Sequence, residues 1–432
     1  MNILYCTIED LTKGGGGKTH FANLSYELAA AGHTVYSCSP KYRRRGTPAI
    51  PKGCIDSSLR VIGGKSPVGI LVYELLLALL ACRLRIRRRI DVVLMRGSGL
   101  TVLGGLLFLW FRLWGMYVVL EVNGISWEEL RAQGMHKVLR AYVKAMVWQC
   151  AKTANRVICV TEAIAVEIAR ICKKSPCAVY VVPNGVRCDV FKPSDSRATL
   201  RREFGWHQED LVVIMPSSFT PWHGVDALVT AVSFLPAEIR QYVRVVLPGV
   251  GEGRARIARL VQDFELGSHI LLPGALSQDQ LARMCGASDI GVFLCLEYGK
   301  LRFPGSPLKF YEYLGAGLPV FVVNDSHVGY LTSTKGLGFV VADLSSEGIA
   351  RALARVFERR AELPGIGARN RQLAEQAFSW TRTAERVAKI CSGAMIAELT
   401  VDNFIRHVRE YPVPEVSYIA GGREAPGVVR SS

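Results

Sequence analysis

Short apolar, β-prone runs alternate with segments of helical period along most of the chain. Ile3–Thr7, Thr34–Ser37, Val92–Met95, Tyr117–Val122, Arg156–Val160 and Ala178–Val182 read as strands. Between the first two, His20–Ala31 has helical spacing and stops at Gly32, a residue that ends helices readily. A polar stretch from Asn184 to Ser196, with Gly185 and Pro193, reads as a linker. The alternation then restarts at Leu211–Met215, Val243–Leu247, His269–Leu272, Ile290–Leu294, Val320–Val323 and Gly338–Val341. Strands separated by helices predict parallel sheets with crossover connections. The expected fold class is therefore α/β, with two doubly wound Rossmann-like domains over residues 1–195 and 196–376. Phe378-Ser379-Trp380 opens a last helix that reaches about Cys391. The segment 392–432 reads as an extension that is partly disordered.

Composition narrows the partners. Of 432 residues, 50% are hydrophobic and 21% charged, enough apolar material for two cores. Lys and Arg outnumber Asp and Glu by 53 to 37, a net charge of +16. That balance favours an anionic partner such as a phosphate, a nucleotide, an anionic lipid surface or nucleic acid. Nucleic acid is the weakest of these, because no basic motif interleaved with aromatics and no binding module is present. The 12 cysteines include no C-x-x-C pair and no Cys/His cluster with zinc spacing, so no metal site is expected. Their scatter fits reduced thiols in a cytoplasmic protein. The start, Met1-Asn2-Ile3-Leu4-Tyr5, carries no basic leader segment and reads as a first strand.

Two apolar stretches test a membrane reading. Val68 to Cys82 falls about one turn short of the roughly 20 residues a span needs, and Glu74 interrupts it. Thr101 to Val122 contains Arg112 and three glycines, and divides into a helix, a turn at Gly115 and a strand. Neither is expected to cross a bilayer. Surface attachment is the alternative, since Arg83, Arg85, Arg87, Arg88 and Arg89 follow the first stretch and Lys41, Arg43, Arg44 and Arg45 follow the second strand. Such clusters attract anionic headgroups; a plain solvated basic face has the same composition.

Gly14-Gly15-Gly16-Gly17 lies between the first strand and first helix, where backbone amides can approach a phosphate or a sugar. Gly17-Lys18-Thr19 suggests a P-loop, but Thr12 stands where that motif needs glycine. A second glycine loop, Gly249-Val250-Gly251-Glu252-Gly253, follows the strand at Val243–Leu247 and offers similar amides. The richest run is Ser306-Pro307-Leu308-Lys309-Phe310-Tyr311-Glu312-Tyr313-Leu314-Gly315-Ala316-Gly317-Leu318-Pro319. Pro307 suits a helix start, and Lys309 and Glu312 share a helix face. A carboxylate there can accept two hydrogen bonds from a vicinal diol such as ribose; a surface Lys–Glu pair needs the same spacing.

This run resembles the donor-site signature of the GT-B glycosyltransferases of family four, which are retaining and use nucleotide sugars. Gly14–Pro40 resembles the family's glycine loop, first helix and Gly-His turn, here Gly32-His33. Arg156–Thr161 and Val182–Val186 resemble the end of its first domain, and Trp222-His223-Gly224-Val225-Asp226 the start of its second. Phe378-Ser379-Trp380 resembles its final helix, which returns to the first domain. The likeness covers about residues 1–392.

The resemblance implies a GT-B arrangement of two domains facing across a cleft. It implies a nucleotide diphosphate sugar as donor substrate and no required cofactor. The acceptor would be a saccharide or a lipid-linked acceptor in envelope, exopolysaccharide or glycolipid synthesis. The cysteine scatter and the basic clusters, read together, place the enzyme in the cytoplasm, either free or peripheral on the inner membrane face. Donor contacts would come from Gly15, Gly16, Ser218, His223, Gly249, Arg302, Leu308, Lys309 and Glu312, with Glu312 on the ribose. Asn123, Glu128 and His20 would lie on the acceptor side. Asn123 stands where the family often has a histidine, and three further positions depart from the family pattern. Pro304 stands for its first glutamate, and Ser218 and His223 for its diphosphate-binding Arg and Lys. Those departures leave a catalytically silent scaffold as the alternative.

Overall fold

A computed structural model describes residues 1–400 except 13–14, 43–49, 63, 65, 98–100, 174, 176–177, 195, 296–304 and 325. Gly14, Arg43 to Arg45, Arg302, Pro304 and the segment from residue 401 thus lie outside the described residues. Two compact units result. The first holds the described residues of Met1–Arg187, Lys300–Tyr311 and Gln376–Pro412; the second holds those of Cys188–Gly299 and Glu312–Glu375. The division therefore falls after Arg187, eight residues before the expected boundary at 195.

In the first unit the strands are β1 (Asn2–Thr7), β2 (Thr34–Cys38), β3 (Pro40–Tyr42), β4 (Ile55–Asp56), β5 (Leu59–Val61), β6 (Val92–Arg96), β7 (Tyr117–Val122), β8 (Arg156–Cys159) and β9 (Val179–Val181). Seven form a parallel sheet in the order β4-β2-β1-β6-β7-β8-β9, and β3 pairs with β5 separately. The sequence reading lacked β3, β4 and β5, because two or three residues are too few to show a period of two. Side chains alternate between two cores. Leu4, Val118 and Leu120 face helices Pro67–Arg88, Gly105–Leu113, Lys137–Thr153 and Glu162–Cys172. Tyr5, Val92 and Val119 face Phe21, Leu24, Trp380 and Val387 of helices Gly16–Ala30 and Trp380–Cys391. Burial on both faces explains why these strands read as continuous apolar runs.

The first apolar stretch is a helix of 22 residues, Pro67–Arg88, opened by Ser66, whose hydroxyl accepts from the Gly69 amide at 3.1 Å. It is longer than the sequence suggested, because its arginine-rich end is helical too. By length and composition it suffices to cross a membrane. Its Glu74 points inward, fully buried, and accepts from the Thr101 hydroxyl and the amides of Val102 (3.0 Å) and Leu103 (2.8 Å).

In the second unit, β10 (Leu211–Ile214), β11 (Val243–Val246), β12 (Ile270–Leu271), β13 (Ile290–Phe293), β14 (Val320–Val323) and β15 (Gly338–Val341) form a parallel sheet ordered β12-β11-β10-β13-β14-β15. Val213, Val245, Val292 and Phe321 pack against Val229 and Leu353 of the flanking helices. Each sheet is thus doubly wound. The chain starts in the middle, works outward, then returns past its first strand. Strand order reverses between β1 and β6 in one unit and between β10 and β13 in the other. Ligands of such sheets bind beyond the carboxyl ends of the strands at these reversals.

Candidate functional site

The second unit brings three chain segments to its reversal point. The loop after β10 carries Ser217 and Ser218, the loop after β11 carries Gly249 to Gly253, and the part of helix Leu308–Gly315 that belongs to this unit, from Glu312 on, lies before β14. The Ser217 amide donates to the Pro248 carbonyl at 2.8 Å, joining the first two loops. Their backbones touch. A Cβ at Gly249 would overlap the carbonyl of Ser217, one at Gly251 that of Ser218, and one at Gly253 that of Phe219. Gly249 also has φ +138°, a conformation open to glycine. These glycines are required by close packing of two loops.

His223 stands in the same cluster. Its Nδ1 lies 3.0 Å from the Ser217 hydroxyl and 3.2 Å from the Ser218 hydroxyl, and Ser217 Oγ accepts from the Phe219 amide at 3.0 Å. Thr220 Oγ1 is buried beside them with no partner among the described residues. Hydroxyls and an imidazole therefore occupy the place where the resemblance implied two fixed cations.

Helix Leu308–Gly315 is anchored at both ends of its second half. The Tyr313 hydroxyl donates to the carbonyls of Val292 (3.0 Å) and Ile214 (3.3 Å), bridging β13 and β10 at the reversal. Its ring lies where a side chain on Gly291 would stand, so this glycine makes room for it. Arg371 donates to the carbonyl of Gly315 at 2.6 Å, a cation at a helix C-terminus. Sequence reasoning missed Tyr313 and Arg371. Glu312 and Lys309 are half-buried, one helix turn apart. Elsewhere in this unit a cavity of about 420 Å³ is lined by Asp189, Lys192, Ser194, Asp279 and Arg283, and none of the expected site residues lines it.

The first unit gathers a buried polar network at its own reversal point. Arg96 ends β6, and its register partner on β7 is Glu121. The Glu121 carboxylate accepts from Tyr5 Oη at 2.9 Å and from Asn123 Nδ2 at 2.9 Å. It lies 2.6 Å from His20 Nε2 and 3.7 Å from Arg96 Nε. Burial alone would raise its pKa, but the His20 and Arg96 charges and the hydrogen bonds hold it down at about 2. Arg96 also pairs with Glu9 at 2.6 Å, and Gly17 leaves the space that the Glu9 carboxylate enters.

Hydrogen bonds extend this network. Asn184 Nδ2 donates to the Ser306 carbonyl at 2.5 Å, so its Oδ1 accepts from His20 Nδ1 at 2.6 Å. The Ser306 hydroxyl meets Tyr311 Oη at 2.7 Å. Because the Asn123 amide donates to Glu121, its Oδ1 is left as a buried acceptor with no partner among the described residues.

Of the residues expected on the acceptor side, His20 and Asn123 meet at Glu121. Glu128 does not join them; it pairs with Arg131 at 2.7 Å on helix Ser126–Ala132. Its neighbour Glu129 faces the network instead, its carboxyl raised by burial and by the Glu9 charge. Glu121, Arg96, Asn184 and Glu9 were not anticipated. The one signal for them was Glu121 itself, a charge inside the otherwise apolar run Tyr117–Val122. Gly15 caps helix Gly16–Ala30 with φ +130° and no side-chain cap, and a Cβ placed on Gly16 would lie 3.6 Å from Leu308 Cδ1. Arg302 lies outside the described residues.

Comparison with known proteins supplies the family. The family model described as "Glycosyltransferase Family 4" matches residues 14–190, and the one described as "Glycosyl transferases group 1" matches residues 196–380. A D-inositol 3-phosphate glycosyltransferase of Streptomyces bingchenggensis is 29% identical over 57% of this chain and 54% of its own length. An MMP alpha-(1->4)-mannosyltransferase of Mycolicibacterium hassiacum is 22% identical over 57% and 56%. The chain spans little more than half the length of these curated relatives. Among solved structures, a sucrose-phosphate synthase from Thermosynechococcus elongatus has TM-score 0.73 at 16% identity, covering 91% of this chain and 99% of that one. Anabaena HepE, solved with UDP and glucose, has TM-score 0.69 at 16% identity, covering 91% and 100%. At such identities the likeness shows the fold, which is GT-B.

Proposed function

The chain belongs to glycosyltransferase family 4, with a group 1 glycosyltransferase domain in its second half, and on that premise we propose that it moves a sugar from a nucleotide diphosphate sugar to an acceptor hydroxyl. The observation that carries this is the reversal point of the second sheet, where Gly249, Gly251 and Gly253 press against the Ser217–Phe219 backbone next to Ser218 and His223. A loop of this kind presents amides to phosphate oxygens. The leaving group is the nucleotide diphosphate, so charge develops on its oxygens. The amides of that loop stabilise that charge. Glu312 accepts hydrogen bonds from the two ribose hydroxyls. Reaction with retention of anomeric configuration follows from family membership and needs no protein nucleophile at the sugar.

In the first unit, Asn123 Oδ1 accepts a hydrogen bond from a substrate hydroxyl, because Glu121 engages the amide nitrogen and leaves this oxygen without a partner among the described residues. The acceptor class is a saccharide or a lipid-linked acceptor, in keeping with a relative from Corynebacterium glutamicum named for a monoacylated phosphatidylinositol monomannoside. The protein works in the cytoplasm.

Binding of a panel of nucleoside diphosphates and nucleotide sugars, read by ligand-observed NMR on the wild type and Glu312→Ala, tests the donor site. One nucleotide bound selectively and lost in the variant supports it; equal binding by both proteins overturns the ribose assignment. A second reading is a GT-B protein that binds but does not turn over. The Ser217–Ser218–His223 cluster favours it, since it puts hydroxyls where the relatives' pattern has fixed charge. Donor hydrolysis or transfer by the wild type, measured as nucleoside diphosphate release, excludes that reading.

A further inference from the structure

We infer that the outward faces of helices Pro67–Arg88 and Gly105–Leu113 form one surface that docks on an anionic lipid bilayer. Both helices cover the same side of the first sheet and bury their inner faces there, through Tyr73, Leu77 and Ala81 on one and Leu107, Phe108 and Phe111 on the other. Their outer faces are apolar as well. Val68, Leu75, Leu79 and Ile86 recur at helical spacing and are exposed, Leu79 to 67%. Leu106, Leu109, Trp110 and Leu113 do the same on the second helix, Leu113 to 74%. The two stripes are adjacent. Trp110 Nε1 donates to Cys82 Sγ at 3.2 Å, and Arg85 Nε donates to the Trp114 carbonyl at 3.2 Å. A contiguous apolar surface of this kind is unusual on a protein that faces only water.

Charge complementarity identifies the occupant. The single carboxylate in these two helices is Glu74, and it is fully buried among hydrogen-bond donors. Arg83 and Arg87 interrupt and end the exposed stripe, Arg112 lies beside Leu113, and all are exposed. Arginine stems lie along acyl chains while their heads reach phosphate. Trp110 and Trp114 add half-exposed indoles, which settle at the headgroup level. A second copy of the chain fits poorly, because a two-fold contact would set these arginines against themselves. The helix lies flat and does not cross, since Tyr73, Glu74 and Leu77 are built into the core.

The test uses the full chain, floated with vesicles of phosphatidylglycerol and phosphatidylcholine and with vesicles of phosphatidylcholine alone. Partition onto the anionic vesicles is expected, weakened by salt, with Trp fluorescence quenched by brominated lipid. The pairs Leu79→Glu with Leu113→Glu, and Arg83→Glu with Arg87→Glu, should each lower partition about tenfold or more. All four positions are exposed, and nucleotide binding together with the thermal midpoint reports folding. Nucleotide binding has no part in this surface, so failure at the donor site leaves the lipid result readable. No partition at low salt, partition equal on both vesicles, or partition unchanged by salt overturns the proposal without any variant. A dimer in the wild type that Leu79→Glu abolishes would reassign the face to a second copy.

Discussion

His20 Nε2 stands 2.6 Å from Glu121 Oε1, both side chains buried. The pair ties the first helix to the middle of the sheet, and through His20 Nδ1 it fixes Asn184. Because the Glu121 pKa is held at about 2 instead of 4.5, its contribution is present above pH 4.5. It is lost as pH falls toward 2. The shift corresponds to about 3 kcal/mol. Urea unfolding followed from pH 5 down to pH 2 should show stability falling across that window. In Glu121→Gln the slope there should flatten, with lower stability at pH 7 because His20 and Arg96 lose their counter-charge.

Asn123 offers an acceptor oxygen, and Glu121 orients it. Asn123→Ala should therefore reduce turnover by about tenfold or more while nucleotide affinity changes little, the loss of one buried hydrogen bond. Steady-state kinetics alongside nucleotide titration separates the two. Equal loss of both would assign Asn123 to the donor instead.

Gly251 has no room for a methyl group against the Ser218 carbonyl. Gly251→Ala must push the two loops apart, at a cost of about 1–3 kcal/mol. Thermal unfolding should show the destabilisation, and nucleotide affinity should fall with it, since the same backbone would present its amides to phosphate. Gly267, where an added Cβ would meet nothing within 4 Å, serves as the control.

The Tyr313 hydroxyl bridges the β10 and β13 carbonyls of Ile214 and Val292. Tyr313→Phe leaves two buried acceptors without this donor, at about 1–3 kcal/mol. Chemical denaturation of the variant measures it. Because the ring itself is kept, the space at Gly291 stays filled and the helix should hold its place, so nucleotide affinity should drop less than stability.

Glu312→Ala should weaken nucleotide sugar binding by about tenfold or more if the carboxylate holds two ribose hydroxyls, as charge-assisted hydrogen bonds are the stronger kind. A 2′,3′-dideoxyribose analogue, which lacks both hydroxyls, should bind the wild type and the variant alike. Isothermal titration with both ligands makes that comparison.

The fold was legible because its signals are local. Runs such as Val118-Val119-Leu120 and Val320-Phe321-Val322 are apolar on both faces, and helices lie between them, which is enough to specify buried parallel sheets. The glycine loops and the Ser306–Pro319 run were visible for the same reason, since turn and helix-start chemistry is written in neighbouring residues. What the chain order concealed was company. Tyr5, His20, Arg96, Glu121 and Asn184 lie far apart in sequence and meet only because strand order reverses beside β1. The choice between Glu128 and Glu129 belonged to the turn of one short helix, which pairs one with Arg131 and buries the other within reach of the Glu9 charge. Likewise, period alone could not tell which apolar side of helix Pro67–Arg88 was core. Packing against Phe108 and Phe111 buried one side, and the other was left for solvent or lipid. Local sequence determines which elements form; the partners of a buried charge are decided when the sheet closes around it.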